Sequence, residues 1–175
     1  MQSEQEELAK LFCEMAMGMP FVFVPDKYDK GSARREPADL VWACNGCLVL
    51  IYLSRMKRAS KARQHNARQI KGWIRAWRSL GQVLRGRNQY GPIAIHAGDT
   101  RYPHVVILSI IECSDATAEY HYAETQALGV TMFATVPLSA IAHLSHMHAS
   151  MLDVFHVLDW LRVRHTAAIT ETEIH

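Results

Sequence analysis

The chain has few cysteines, no long apolar run and, over one stretch, no acidic residue. Four cysteines in 175 residues are too few for a disulfide framework. The thiols are therefore expected reduced and the protein cytoplasmic. No segment approaches the ~18 uninterrupted apolar residues of a membrane span. Residues 1–10 carry Glu4, Glu6 and Glu7 instead of the basic-then-apolar order of a secretion signal. There is no GxSxG nucleophile turn. There is also no P-loop and no GxGxxG, so nucleotide binding has no motif behind it. The one CxxC, at Cys44 and Cys47, lacks the further ligands that zinc requires. It reads as small side chains flanking a turn.

What is present suits one folded unit. Hydrophobic residues make up 49% and charged residues 21%, enough for a sizeable core in a single domain. That domain is expected to span residues 1–175, with its core at about 4–164 and a tail fraying from Thr166. The net charge of +2 hides an asymmetry. Residues 55–87 hold eleven Lys or Arg and no Asp or Glu, whereas the rest of the chain is acidic. A cationic segment on an acidic body suggests a polyanionic partner.

Apolar spacing predicts a helix over 4–17, ended by Gly18 and Pro20, then a strand over 21–24. Residues 25–37 read as an exposed polar loop. Two apolar runs, 39–44 and 47–53, are separated by Asn45-Gly46, the favoured type I′ turn pair. They form a β-hairpin buried on both faces. A long helix is predicted over 57–84. Asn66, Ile70, Trp73, Ile74, Trp77, Leu80 and Leu84 lie on its core side. Lys61, Gln64, Arg68, Lys71, Arg75 and Arg78 lie on the other. Strands follow at 93–95, 104–113 and 130–136. Residues 114–128 are either irregular or a short helix. Pro137 opens a helix to about 145. A last helix runs from 150 or 151 to about 164, with Met151, Leu152, Phe155, Leu158 and Leu161 facing inward. The fold class is α/β, with a mixed central sheet flanked by helices.

The two-residue turn fixes the register. Cys44 faces Cys47, Trp42 faces Val49, Leu40 faces Ile51 and Asp39 faces Tyr52. Strand alternation puts Asp39, Tyr52 and Ser54 on one face. His143, His146 and His148 also cluster, but without a carboxylate or metal-binding spacing. They read as surface histidines.

The segments EELAKLFCEMA, FVF, KYDKG and REPADLVW, in this order, resemble the PD-(D/E)XK, or restriction-endonuclease-like, nuclease superfamily, in a bacterial branch with a degenerate site motif. The basic helix, the VVILSIIE strand and the closing SMLDVFHVLDWL helix are also similar, so the likeness covers about 4–164. The resemblance implies a restriction-endonuclease-like sheet whose hairpin supplies an Asp, then an acid and a Lys two residues apart. The acids hold Mg²⁺ or Mn²⁺, and the Lys helps activate water. By position, Asp39 is the first acid and the metal ligand, and Glu7 or Glu14 is the helix acid. The second acid and the Lys fall on Tyr52 and Ser54. Lys57 lies beyond the strand end, where an early bend could return it.

The expectation is therefore a nuclease-fold protein without phosphodiester hydrolysis. It would bind DNA or RNA, or a partner, through Lys61, Arg68, Lys71, Arg75 and Arg78. A defence or mobile-element setting follows by analogy alone. One alternative is an active Mg²⁺- or Mn²⁺-dependent nuclease using Asp39, Glu7 or Glu14, and Lys57. Another is a homodimeric protein-interaction module.

Overall fold

A computed structural model describes residues 19–147 and 149–173. The predicted helix over 4–17, with Glu7 and Glu14, lies outside them.

The chain enters through a 3₁₀ turn (Met19–Phe21) and a short strand β1 (Val22–Phe23). Next come β2 (Tyr28–Lys30), β3 (Ala33–Arg35), β4 (Leu40–Cys44) and β5 (Cys47–Arg55). Helix α1 (Ala59–Ser79) leads to β6 (Leu84–Asn88), β7 (Gly91–Ile95) and β8 (His104–Glu112). The chain continues through β9 (Glu119–Tyr120), α2 (Tyr122–Leu128), β10 (Met132–Pro137), α3 (Leu138–His146) and α4 (Met151–Glu173).

Six strands form one mixed sheet in the order β1-β4-β5-β8-β10-β9. The β4–β5 hairpin is antiparallel, with Leu40 opposite Ile51 and Cys44 opposite Cys47. Asn45 and Gly46 carry φ of 48° and 79° at its turn. Both angles are positive, as a type I′ turn requires, which is why this residue pair sets the register. Strands β5, β8 and β10 run parallel, joined by α1 and α2 crossovers. Parallel strands covered on both faces need nearly continuous apolar side chains. Accordingly Leu48, Val49, Leu50 and Ile51 are fully buried.

Two cores result. On one face Val41, Leu48, Leu50, Ile107 and Phe133 meet Ile70, Trp73 and Trp77 of α1, with Leu84 and Ile95 of β6 and β7. On the other, Trp42, Val49, Ile51, Leu108 and Val136 meet Ile141 of α3 and Val154, Leu158 and Leu161 of α4. The protein is thus a single α/β domain with helices on both faces. No helix among the described residues is long and apolar enough to cross a membrane.

Several local expectations are corrected. Helix α1 stops at Ser79, because Gly81 takes φ +68°. Leu80 is left 63% exposed, and Leu84 is buried in β6 instead of on the helix. Residues 25–37 contain the β2–β3 hairpin, which buries Tyr28 against Trp73 at a ring separation of 4.9 Å. Strand β7 pairs with β6 in a separate two-stranded sheet. Leu152 is exposed. Helix α4 continues to Glu173, past the end that the apolar spacing gives, since no Gly or Pro interrupts 151–175. Its first turn is closed by Ser150 and Asp153, where the Ser150 N–H donates to Asp153 Oδ2 at 2.7 Å.

Candidate functional site

The hairpin end and α1 carry the two sets of candidate residues. Asp39 sits one residue before β4, where the regular ladder ends at Leu40 and Ile51. Its backbone N–H donates to the Ile51 carbonyl at 2.9 Å. Its carboxylate oxygen Oδ2 accepts the Leu53 N–H at 2.7 Å. The side chain thus satisfies a strand amide that would otherwise lack a ladder partner.

Tyr52 is 1% exposed and packs in the core beneath α1. Its hydroxyl donates to the Pro37 carbonyl at 2.6 Å. Burial pushes the phenol well above its ordinary pKa, and the nearby charge of Asp39 pushes it further. Ser54 is also buried. Arg55 pairs with Glu112 of β8 at 3.4 Å. Lys57 is exposed and makes no ion pair or hydrogen bond among the described residues.

Among the described residues, the hairpin positions do not supply the ligands of a hard divalent cation. Such an ion takes several oxygen ligands, chiefly carboxylates. The position for the second acid holds a neutral phenol whose hydroxyl is engaged with Pro37. The position for the lysine holds a buried hydroxyl. Among the described residues, no three His, Cys, Asp or Glu side chains come together to hold a metal. His143 and His146 are exposed on α3, and His148 lies outside the described residues.

Cys44 and Cys47 face each other across the turn as free, half-buried thiols. Burial raises the Cys47 pKa, with Cys44 adding to the effect. That is the direction of an inert thiol.

Helix α1 is anchored at its N-terminal half. Arg58 supplies no side-chain cap. Asp115, from the loop after β8, accepts the Ala59 N–H at 3.0 Å instead. It also accepts the Cys113 thiol at 2.6 Å. These bonds, the thiol's foremost, hold the Asp115 carboxyl below the usual range. Arg63 bonds the Thr117 hydroxyl at 2.9 Å and pairs with Glu119 at 3.2 Å. Asn66 is buried, and its amide donates to the Ser109 hydroxyl at 2.8 Å.

With its inner side fixed, α1 turns Lys61, Arg68, Lys71 and Arg75 to solvent. None of the four makes an ion pair or hydrogen bond among the described residues. At ~1.5 Å per residue the row is about 21 Å long. Arg78 is different. Its guanidinium donates to the carbonyls of Leu128 and Gly129, the latter at 2.9 Å. It clamps the C-terminus of α2 and is spent on that contact, which corrects its place in the predicted binding row.

Lys30 takes a place in the row that the sequence did not indicate. Its ammonium lies beside Gly72, 3.7 Å from where a Cβ would stand. That places it within one helical turn of Arg68, Lys71 and Arg75. The sequence sign of this hairpin is the glycine within YDKGSARR, and Gly31 takes φ +61° between the two short strands.

The chain matches no family model, and neither curated proteins nor solved structures give a match.

Proposed function

We propose that the protein binds nucleic acid through the phosphate backbone, along the exposed face of α1, and performs no metal-dependent phosphodiester hydrolysis. One observation carries the binding reading. Lys61, Arg68, Lys71 and Arg75 stand unpaired on a fixed helix, and the β2–β3 hairpin adds Lys30 to them. A solvated helix face ordinarily carries acids at i,i+4 that offset its cations. Here like charges repel one another, and a polyanion would relieve that repulsion. The two tryptophans of α1 are buried, so this face has no stacking platform and suits phosphates rather than bases.

The catalytic half of the proposal rests on the hairpin end. Asp39 Oδ2 is committed to the Leu53 amide and the Tyr52 hydroxyl to Pro37. The resemblance to the restriction-endonuclease-like superfamily supports the fold type, and the two motif departures at Tyr52 and Ser54 support loss of the chemistry. Gel-shift and cleavage assays on one protein preparation test both halves. Duplex and single-stranded DNA and RNA are expected to shift, and to stay intact with Mg²⁺ or Mn²⁺. Replacing Lys61, Arg68, Lys71 and Arg75 with Ala is expected to abolish the shift. An unchanged shift moves the contact surface elsewhere, and cleavage that Asp39→Ala abolishes overturns the inactive reading.

A second reading, homodimerisation, has its own observation. Helix α4 exposes Val157, Trp160 and Val163, with Trp160 53% exposed and the Arg164 guanidinium 4.5 Å above its ring. Sedimentation of the wild type against Trp160→Glu tests it. A dimer that the substitution dissolves supports the reading, and a monomeric wild type removes it.

A further inference from the structure

A second site lies at the other end of β4 from Asp39. Two hairpin tips, Asn45-Gly46 of β4–β5 and Gln89-Tyr90 of β6–β7, face each other across a cleft of about 440 Å³. That volume is in the range of small-ligand sites. Tyr90 is 70% exposed, yet it is held in place. Its ring packs on Phe21 with centroids 5.7 Å apart. Its backbone N–H donates to Asn88 Oδ1 at 2.9 Å. Tyr102 also lines the cleft, with the Arg101 guanidinium 5.6 Å from its ring centre.

The charge there is balanced. Arg101 grips Asp99 through Nε and Nη2, with the shorter contact at 2.6 Å. Those hydrogen bonds lower the Asp99 carboxyl to about 2. The cleft therefore offers aromatic faces and neutral amides without a free cation. Asn88 keeps its NH₂ as a donor, because only its carbonyl oxygen is used by Tyr90. The Asn45 side chain stands exposed on the opposite tip.

We propose that this cleft binds an unpaired nucleobase, stacked on Tyr90, with its polar edge read by the Asn45 and Asn88 amides. A base has the two features that the cleft matches, a flat π-face and an edge of donors and acceptors. Arg101, the one cation among the described residues that line the cleft, is held by Asp99, so the cleft favours the base over its phosphate. The outward cations of the adjoining strand, Arg85 and Arg87, make no ion pair among the described residues and stand ready for the backbone. The site does not depend on the α1 row, since an uncharged nucleoside would occupy it.

An NMR titration of the intact chain with adenosine and with uridine tests the proposal. At millimolar nucleoside, shifts are expected at the Tyr90, Tyr102, Asn45 and Asn88 resonances. Tyr90→Ala is expected to abolish them and Tyr90→Trp to keep them, both with unchanged melting temperature. In a parallel measurement, a single strand should bind more tightly than an abasic strand of equal length. Tyr90→Ala should remove that advantage, a loss of roughly fivefold or more for the stacked base. Loss of α1 cations should weaken both strands alike. Absence of shifts with either nucleoside overturns the proposal and leaves the α1 reading standing. So do shifts produced by an oligoproline peptide and not by nucleosides, which would assign the cleft to extended peptides.

Discussion

Tyr52→Phe removes a single oxygen from the buried hairpin end. The lost hydroxyl donates to the Pro37 carbonyl at 2.6 Å, in a place where Tyr52 is 1% exposed and Pro37 is buried. A hydrogen bond of this kind contributes about 1 kcal/mol net, and leaving a buried acceptor stranded raises the cost to about 1–3 kcal/mol. For a chain of this length each kcal/mol shifts the midpoint by about 2–4 °C. The variant is therefore expected to melt roughly 4–8 °C lower for a loss of about 2 kcal/mol. Tyr90→Phe, at an exposed ring, is the matched control and should not shift. The pH dependence adds a second signature. The folded phenol ionises well above 10, whereas the unfolded one ionises near 10. Above pH 10 the unfolded state binds fewer protons than the folded one, so wild-type stability falls as pH rises. Tyr52→Phe lacks that contribution, so its deficit should narrow above pH 10. Calorimetry between pH 7 and the alkaline limb reads both effects. A variant as stable as the wild type at neutral pH would mean that the hydroxyl is not bound in the core, and the argument for a sealed site would fail.

Rebuilding the nuclease motif with Tyr52→Glu and Ser54→Lys should unfold the hairpin end before it makes a metal site, because positions 52 and 54 are buried and both new charges would have to be desolvated. Loss of cooperative unfolding and no Mn²⁺ heat in calorimetry are expected, and stoichiometric Mn²⁺ binding by a folded double variant would refute this. Gly86→Ala should destabilise by about 1–3 kcal/mol, since the new Cβ would lie within 3 Å of the buried Phe23 ring and 3.1 Å from the Val24 carbonyl. Urea titration reads the change, and a neutral result would contradict the packing. Arg78→Ala should cost about 1 kcal/mol through the freed α2 carbonyls, whereas Arg75→Ala should leave the melting curve unchanged. Equal melting of the two would mean that Arg78 does not clamp α2.

Much of the fold was legible because a few residues dictate it. Asn45-Gly46 fixes the β4–β5 register through its positive φ angles, and every pair from Leu40 to Cys44 follows. The parallel strands announce themselves as nearly continuous apolar runs, broken by Ser109 in β8 and Thr135 in β10. Leu80 and Leu84 continue the helical spacing of α1 past its end, although Gly81 turns the chain out and Leu84 is buried from a strand. No apolar alternation marks the β2–β3 hairpin, because its strands are polar apart from Tyr28 and Ala33. At the candidate site, the sequence indicated Asp39, Tyr52 and Ser54 but not the roles of their polar atoms. The bonds to Pro37 and Leu53 depend on how the chain bends into β4. Arg78 looked like its neighbours in the row because its partners are backbone carbonyls fifty residues away.

The salt dependence of binding to a blunt DNA duplex tests the α1 reading most directly. Four or five phosphate contacts, from Lys61, Arg68, Lys71, Arg75 and Lys30, predict that log K falls against log salt with a slope of about −3.6 to −4.5. Lys71→Ala with Arg75→Ala should flatten the slope by about two units without changing the melting temperature. A slope near zero, or one that the double substitution leaves unchanged, would contradict phosphate binding by this helix.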